Sequence, residues 1–435
     1  MVTIKILDIE FHDYINDCIP FFALFVLLEV IIGTFVLKKK KYYDLPDTLS
    51  SVGTGLSTIV WRRIVTLPIL ASIEFIVAIY VNQHYALIKV SEDSKLAWII
   101  CFICIDFAYY LFHRSSHEIN FIWATHVTHH SSEKYNLSTA LRQSVWQIYT
   151  SWIFFVPIGL FIPPKIYFFH KQFNTIYQFW IHTQLIPKLG PIEWIFNTPS
   201  HHRVHHGRNP KYLDKNYAGT LIIWDRLFGT FKEEEDNDPV YYGLVHPLKS
   251  NDPTWSQFHH WVEMYEHSKE YSSYREKLMV FLMGPGWKKG EKSRFGDYSK
   301  LPIPSSKDDA ERDSKSLGLV MNMYLFSHYL FTSIVALTML AAYEEVLGSV
   351  TVTITFIYLY LSLISFGSMF DRKYYSHLLE SSRILMFLGY TWSLEYPYMY
   401  IVRILYFLSL LYIINDRYLN LIKSTNIQKK NIKTQ

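Results

Sequence analysis

His113-Arg114-Ser115-Ser116-His117-Glu118 is followed, eight residues on, by His126-Val127-Thr128-His129-His130, and much later by His201-His202-Arg203-Val204-His205-His206. The spacings are HxxxH (His113, His117), HxxHH (His126, His129, His130) and HxxHH (His202, His205, His206). On a helix, residues i, i+3 and i+4 share one face. Each string can therefore aim two or three imidazoles at one point. Neutral imidazole ligates Fe, Zn, Cu and Ni. One HxxxH alone would read as ordinary core or surface histidines; three matched strings in one chain do not. Eight histidines exceed what one four-coordinate zinc takes and suit a two-metal site. The Glu-x-x-His motif of helical carboxylate sites and Cys-His zinc-finger spacing are both missing.

The apolar residues say where such a site sits. Half of the 435 residues are hydrophobic, and they recur in runs close to the roughly 20 residues that cross a bilayer. The first is Pro20–Leu37, with Glu10, Asp13 and Asp17 before it and Lys38–Lys41 after it. The positive-inside rule puts the lysines in the cytosol and the N-terminus in the lumen. Residues 1–19 carry no basic n-region or cleavage site, so the first span reads as an uncleaved anchor. A polar connector follows over Tyr42–Trp61. A second span at Ile64–Ile88 returns to the lumen, and a third at Ala97–Phe112 delivers His113 to the cytosolic side. Trp146–Pro163 and Lys165–Ile186, broken at Pro163-Pro164, read as a hairpin from the cytosolic face. Its second arm is polar, with His170, Gln172, Asn174, Gln178 and His182, and should face a protein interior. Four further spans are read at Leu317–Ala341, Val346–Phe370, Ile384–Tyr400 and Ile401–Ile414.

The expected fold is thus all-α: a polytopic membrane protein of about nine spans with a cytosol-facing, histidine-rich helical core. Its parts are N-terminal anchor spans (1–95), the catalytic domain (96–247), a cytosolic segment and linker (248–316, with Pro302–Lys315 as linker), C-terminal spans (317–416) and a basic tail (417–435). The C-terminal spans read as scaffold or substrate access. The net charge of +4 is mild and implies no nucleic-acid partner. Cys101 and Cys104 lie inside an apolar run and read as inert thiols, so no disulfide framework is expected.

Metal-bound histidines need their second ring nitrogen oriented, often by a carboxylate. Asp106, seven residues before His113, shares its helical face and either orients it or makes an unrelated intramembrane hydrogen bond. Glu118 either orients a ligand, contacts a cofactor or is a solvated neighbour of His117. His182 is either a ninth ligand or a hydrogen-bonding histidine. Spacing does not choose the metal. An oxygenase would need iron, since zinc has no redox chemistry.

The three strings, with Tyr135–Ser144 (YNLSTALRQS), Gln178–Thr183 (QFWIHT), Asn197–Arg208 (NTPSHHRVHHGR) and Lys215–Thr230 (KNYAGTLIIWDRLFGT), resemble the fatty acid hydroxylase superfamily of membrane di-iron enzymes. The intervening strings are most similar to its ether-lipid-cleaving branch, from about Asp106 to Pro247. The resemblance implies an endoplasmic-reticulum enzyme that uses two irons, O2 and tetrahydrobiopterin. It would hydroxylate the ether-linked carbon of a 1-O-alkylglycerol or lyso ether lipid, and the hemiacetal would fall apart to a fatty aldehyde and a glycerol derivative. It makes His113, His117, His126, His129, His130, His202, His205 and His206 ligand candidates, and Glu118 matches an acidic position of the first motif. The rival within the superfamily is a sterol or fatty-acyl hydroxylase or desaturase. The rival of another class is a membrane metal transporter or scaffold; transporters hold ligands at the bilayer midplane, whereas these strings sit at or beyond span ends.

Overall fold

The computed structural model describes residues 3–6, 9–39, 42–64, 73–291, 293–305, 317–341 and 349–433. Nearly all its regular structure is helical. The single sheet among the described residues is an antiparallel hairpin of β1 (Thr3–Ile6) and β2 (Ile9–His12). Five helical segments among the described residues are long and apolar enough to cross a membrane: Tyr14–Val36, Lys95–Glu118, Leu319–Met339, Val350–Phe370 and Met399–Leu419. The chain divides into two compact units, Met1–Leu248 with Ser256–Lys315, and Lys249–Trp255 with Ser316–Gln435.

In the first unit, α1 (Tyr14–Ile31) runs into a π-turn ending at Val36. It carries a buried carboxylate, Glu29, which accepts from the backbone N–H of Leu137 (2.7 Å) and from the Thr183 hydroxyl. The stretch whose polarity predicts a connector is instead a helix, α2 (Leu45–Ile64). Its buried residues include Ser50, Ser51, Thr54, Ser57 and Thr58 beside Leu49, Leu56 and Val60. Ser51, Thr54, Ser57 and Thr58 donate their hydroxyls to carbonyls three or four residues earlier, which helps satisfy them within the helix; Thr58 also reaches the Gln143 carbonyl. Only α3 (Ile73–Tyr85) represents the expected span over 64–88, because residues 65–72 lie outside the described ones.

The central helix is α4 (Lys95–Glu118), N-capped by Ser94. Ala97, Cys101, Ile105, Ala108 and Phe112 form one stripe of it, packed against Ala78 of α3 and against Phe155, Ile158, Ile162, Ile166 and Tyr167. Cys101 and Cys104 are free thiols. Two short helices follow, α5 (Asn120–Trp123) and α6 (Val127–His130). The double proline breaks the chain as expected: α7 (Ile148–Phe155) passes through a 3-10 turn, and α8 (Pro164–Trp180) starts on Pro164, a first-turn position that needs no N–H donor. The polar side of α8 faces protein. Gln172 bonds the backbone of His12 and Ile15, and Asn174 donates to Asp106. Then come α9 (Pro199–His205), α10 (Ile223–Phe228), α11 (Pro253–Lys269) and α12 (Tyr274–Leu282).

The second unit is built on α13 (Leu319–Ala341), α14 (Ser349–Phe370), α15 (Ser376–Thr391) and α16 (Met399–Lys433). The spans expected at Ile384–Tyr400 and Ile401–Ile414 fall differently. The chain leaves α15 after Thr391 and turns at 392–398, where Glu395 and Pro397 stand, before α16 begins. Glu380 and Arg383 pair in the interior, and Ser365, Tyr324, Tyr358 and His328 complete their hydrogen bonds. The expected linker Pro302–Lys315 and the lysine run at 38–41 lie wholly or partly outside the described residues.

Candidate metal centre

Nine histidines meet in two groups. The first is His113, His117, His126, His130 and His205; the second is His129, His182, His202 and His206. All are buried, and within each group the candidate ligand nitrogens lie within 4.8 Å of one another. The HxxHH strings do not each serve one point. His126 and His130 go to the first group and His129 to the second; His202 and His206 go to the second and His205 to the first. In each string the i, i+4 pair shares a direction, and the residue at i+3 turns to the other group. His182, the ninth candidate, belongs to the second group, with its Nε2 3.2 Å from that of His129 and 3.0 Å from that of His202. In the first group, Nε2 of His126 stands 3.0 Å from that of His113 and 3.3 Å from that of His130.

Five of the outward nitrogens are fixed by oxygen acceptors; those of His126 and His202 are buried without one. His113 Nδ1 meets the Tyr217 carbonyl (2.7 Å), His129 Nδ1 that of Arg142 (3.1 Å), His182 Nδ1 that of Gln178 (2.6 Å) and His205 Nδ1 that of Lys215 (2.9 Å). His117 Nδ1 meets the Asp214 carboxylate at 3.2 Å. An oxygen on Nδ1 makes that nitrogen the N–H and leaves Nε2 its lone pair. The Nε2 atoms of His117, His205 and His206 are buried with no hydrogen-bond partner. Buried polar atoms left open this way are costly, and a metal at each group would satisfy them. The donor set therefore fits metal ions whose ligands are imidazole nitrogens.

Burial holds six of these imidazoles neutral. His126, His130, His202, His205 and His206 are pushed well below the usual histidine range, first by desolvation and then by neighbouring imidazoles, and His129 is lowered to about 4. Neutral imidazole is the form that ligates.

Neither of the two carboxylates singled out in the sequence touches a histidine of either group. Asp106 does not touch His113, whose Nδ1 is taken by the Tyr217 carbonyl. It accepts instead from the backbone N–H groups of Thr220 (2.7 Å) and Leu221 (2.9 Å), from Trp224 Nε1 (3.0 Å) and from Asn174. It reaches His113 only indirectly, by fixing the loop that presents Tyr217. Glu118 pairs with Arg114 at 2.7 Å, one turn back, rather than with a histidine. Arg203 likewise meets an acid, binding Glu234 through two nitrogens and the carbonyls of Thr183 and Ile186. His201 stays outside both groups, its ring against Phe231.

Sequence reasoning missed Asp214, which also accepts from the Tyr298 hydroxyl. Its φ of 56° is a left-handed conformation that Asp tolerates better than most residues, and Asn216, two residues on, repeats it. The Asp-Lys-Asn string was the available signal. Arg142 was missed as well. It is buried and bonds Asp47, Ser51 and Ser131, which ties α2 to the segment whose carbonyl holds His129. A third set, His259, His260 and Glu263 on α11, reads as hydrogen bonding: both ring nitrogens of His260 are engaged, by Asn120 at 2.7 Å and by Glu263 at 3.3 Å.

Fold and site together define a helical membrane oxidoreductase of the fatty acid hydroxylase type, and the fatty acid hydroxylase family model matches residues 98–230, from α4 to just past α10. Alkylglycerol monooxygenase of Homo sapiens is 44% identical over 385 residues, covering 87% of this chain and 82% of that protein. The Xenopus tropicalis protein of the same name is 43% identical over 378 residues, covering 86% and 81%, and that of Caenorhabditis elegans 31% over 409 residues, covering 89% and 79%. No solved structure matches significantly. The chain belongs to the alkylglycerol monooxygenase family, and it is a monooxygenase.

Proposed function

We propose that this enzyme hydroxylates the ether-linked carbon of 1-O-alkylglycerols and lyso ether lipids, with tetrahydrobiopterin as the reductant, in the endoplasmic-reticulum membrane with its site facing the cytosol. One atom of O2 enters the C–H bond beside the ether oxygen. The other leaves as water, with two electrons from tetrahydrobiopterin and two protons. The hemiacetal then loses the glycerol oxygen as leaving group and gives a fatty aldehyde. The observation that carries the reading is the pair of adjacent, buried, all-imidazole groups.

Two irons, one per group, are the metals proposed, held by His113, His117, His126, His130 and His205 and by His129, His182, His202 and His206. Iron bound there supplies activation of O2. The chain's own residues bury the imidazoles away from bulk water and fix the tautomers of His113, His117, His129, His182 and His205 through their Nδ1 acceptors. Asp106 positions the loop bearing Tyr217. Glu118, whose charge bears on Tyr217 and Tyr298, is proposed to contact the cofactor. Residues 96–247 are proposed as the catalytic domain.

The test is an assay of purified protein for fatty aldehyde from a 1-O-alkylglycerol, with and without tetrahydrobiopterin, alongside elemental analysis. Aldehyde only with the pterin, and close to two irons per chain, is the expected result. Active protein holding one zinc and no iron would overturn the metal assignment. A hydroxylated acyl or sterol product driven by cytochrome b5, with no aldehyde, would overturn the reaction.

A further inference from the structure

We propose that the turn Gly190–Trp194 and helix α10 (Ile223–Phe228) form a wedge inserted in the plane of the bilayer, at the boundary between headgroups and acyl chains beside α4. The proposal rests on α4 crossing the membrane.

The first observation is an exposed apolar patch. Leu227 is 70% exposed, Trp194 68%, Ile192 and Ile195 51% each and Phe228 48%. The two elements carrying them are one body: Ile222 N–H donates to the Ile195 carbonyl at 2.9 Å, and Phe196 bridges Leu221. Arg226 donates to the Glu193 carbonyl at 3.2 Å and lies against Trp194 and Phe231, 4.9 and 3.7 Å from their ring centroids. Large apolar side chains set around a tryptophan and an arginine are the composition of interfacial anchors.

The second observation is depth. Trp224 and Phe228 touch Phe107, at ring-centroid distances of 4.7 and 5.9 Å. Phe107 precedes His113 by six residues of helix, and a rise of about 1.5 Å per residue puts it roughly 9 Å further into the span. Ile103 and Leu111, one turn to either side of Phe107, are exposed. The patch therefore continues the face that α4 turns to lipid.

The third observation is how the loop reaches that depth. Irregular backbone survives there only where the protein satisfies it. Asp106, on α4 itself, takes the N–H groups of Thr220 and Leu221 and the Trp224 indole, and Asn197 donates to the carbonyls of Ala218 and Gly219. A carboxylate inside a span is expensive; here it satisfies a loop that water could otherwise have satisfied. The partner is thus a phospholipid bilayer rather than a protein. The helix bearing His202 and His205 follows the turn closely in sequence.

The test uses the full-length protein with Cys18, Cys101 and Cys104 replaced by Ser, reconstituted in phosphatidylcholine vesicles. Leu227→Cys and, separately, Trp194→Cys carry an environment-sensitive fluorophore; both side chains are exposed, so neither label displaces core. Quenching by lipids with a nitroxide high on the acyl chain, and shielding from iodide, is the expected result at both. Asp236→Cys, on an exposed loop, should show the reverse, and Ile103→Cys on α4 should be quenched by the lipid probe. Iodide quenching at 227 and 194 with lipid quenching at 103 overturns the wedge and leaves the span. Shielding at 227 and 194 from both quenchers means a protein partner or second copy covers the patch, and also overturns it. Iodide access at 103 overturns the span and the wedge together.

Discussion

His117 is the one member of either group whose Nδ1 meets a carboxylate, Asp214, and Asp214 is held in turn by Tyr298. Asp214→Asn keeps the shape and removes the charge that sets the tautomer. Partners of this kind cost about 10–100-fold in metal affinity or activity when changed. Asp214→Asn should therefore lower iron content and activity together. Glu118→Gln should behave differently, because Glu118 touches Arg114 and no histidine. It should keep its iron and lose activity by roughly tenfold or more, the scale of one charge-assisted hydrogen bond. Iron loss in Glu118→Gln, or unchanged iron in Asp214→Asn, would show that the two roles are misassigned. These two residues also mark what the sequence tells. The histidines were legible because their spacing repeats. Asp214 was not, because its meeting with His117 joins residues 97 positions apart, and the outward nitrogens of His113, His129, His182 and His205 are held by backbone carbonyls, which leave no trace in residue type.

The short helices decide how the histidines divide. Because the strings at α6 and α9 each send an i, i+4 pair to one group and the i+3 histidine to the other, neither string belongs to one group. His205→Ala should strip the first group and His202→Ala the second. Each should abolish activity and leave about one iron bound on the one-metal-per-group reading, whereas His377→Ala, paired with Asp416 in the other unit, should leave both iron and activity intact. Loss of both irons from either single variant would argue for one shared cluster. The string pattern was legible; its division was not, since it depends on where α4 and α9 stand. The helix least legible was α2. Hydropathy passes over it because serine and threonine make up much of its buried face, beside Leu49, Leu56 and Val60. Its close approach depends on Gly55, where a Cβ would stand 2.6 Å from the Leu141 carbonyl oxygen. A backbone oxygen cannot swing aside. Gly55→Val should destabilise the protein by about 1–3 kcal/mol, as overpacking does, read as a lower melting temperature in detergent.

The whole molecule constrains how the chain threads the membrane. α4 brings His113 and His117 to the site at its C-terminal end. α1 does the same from another direction: Glu29, near its C-terminal end, bonds Leu137 and Thr183, the latter next to His182. α2 stays on that side too, because Asp47 pairs with Arg142 at 3.0 Å. If α1 and α4 both cross, the N-terminal end of α4 lies on the far side, so the chain must cross once more between Ile64 and Lys95. That supports a span over 64–88 although α3 alone has 13 residues, fewer than the roughly 20 a crossing takes. By the positive-inside rule, the lysines at 38 and 39 would then put the site in the cytosol and the 89–94 loop in the lumen, the orientation proposed above. In sealed microsomes, a membrane-impermeant maleimide should label Asp236→Cys at once and Glu92→Cys only after the vesicles are opened, both in the cysteine-free background. The opposite order would invert the topology. Labelling of both in sealed vesicles would mean that α1 and α4 do not cross as a parallel pair, and would remove the need for the span between them.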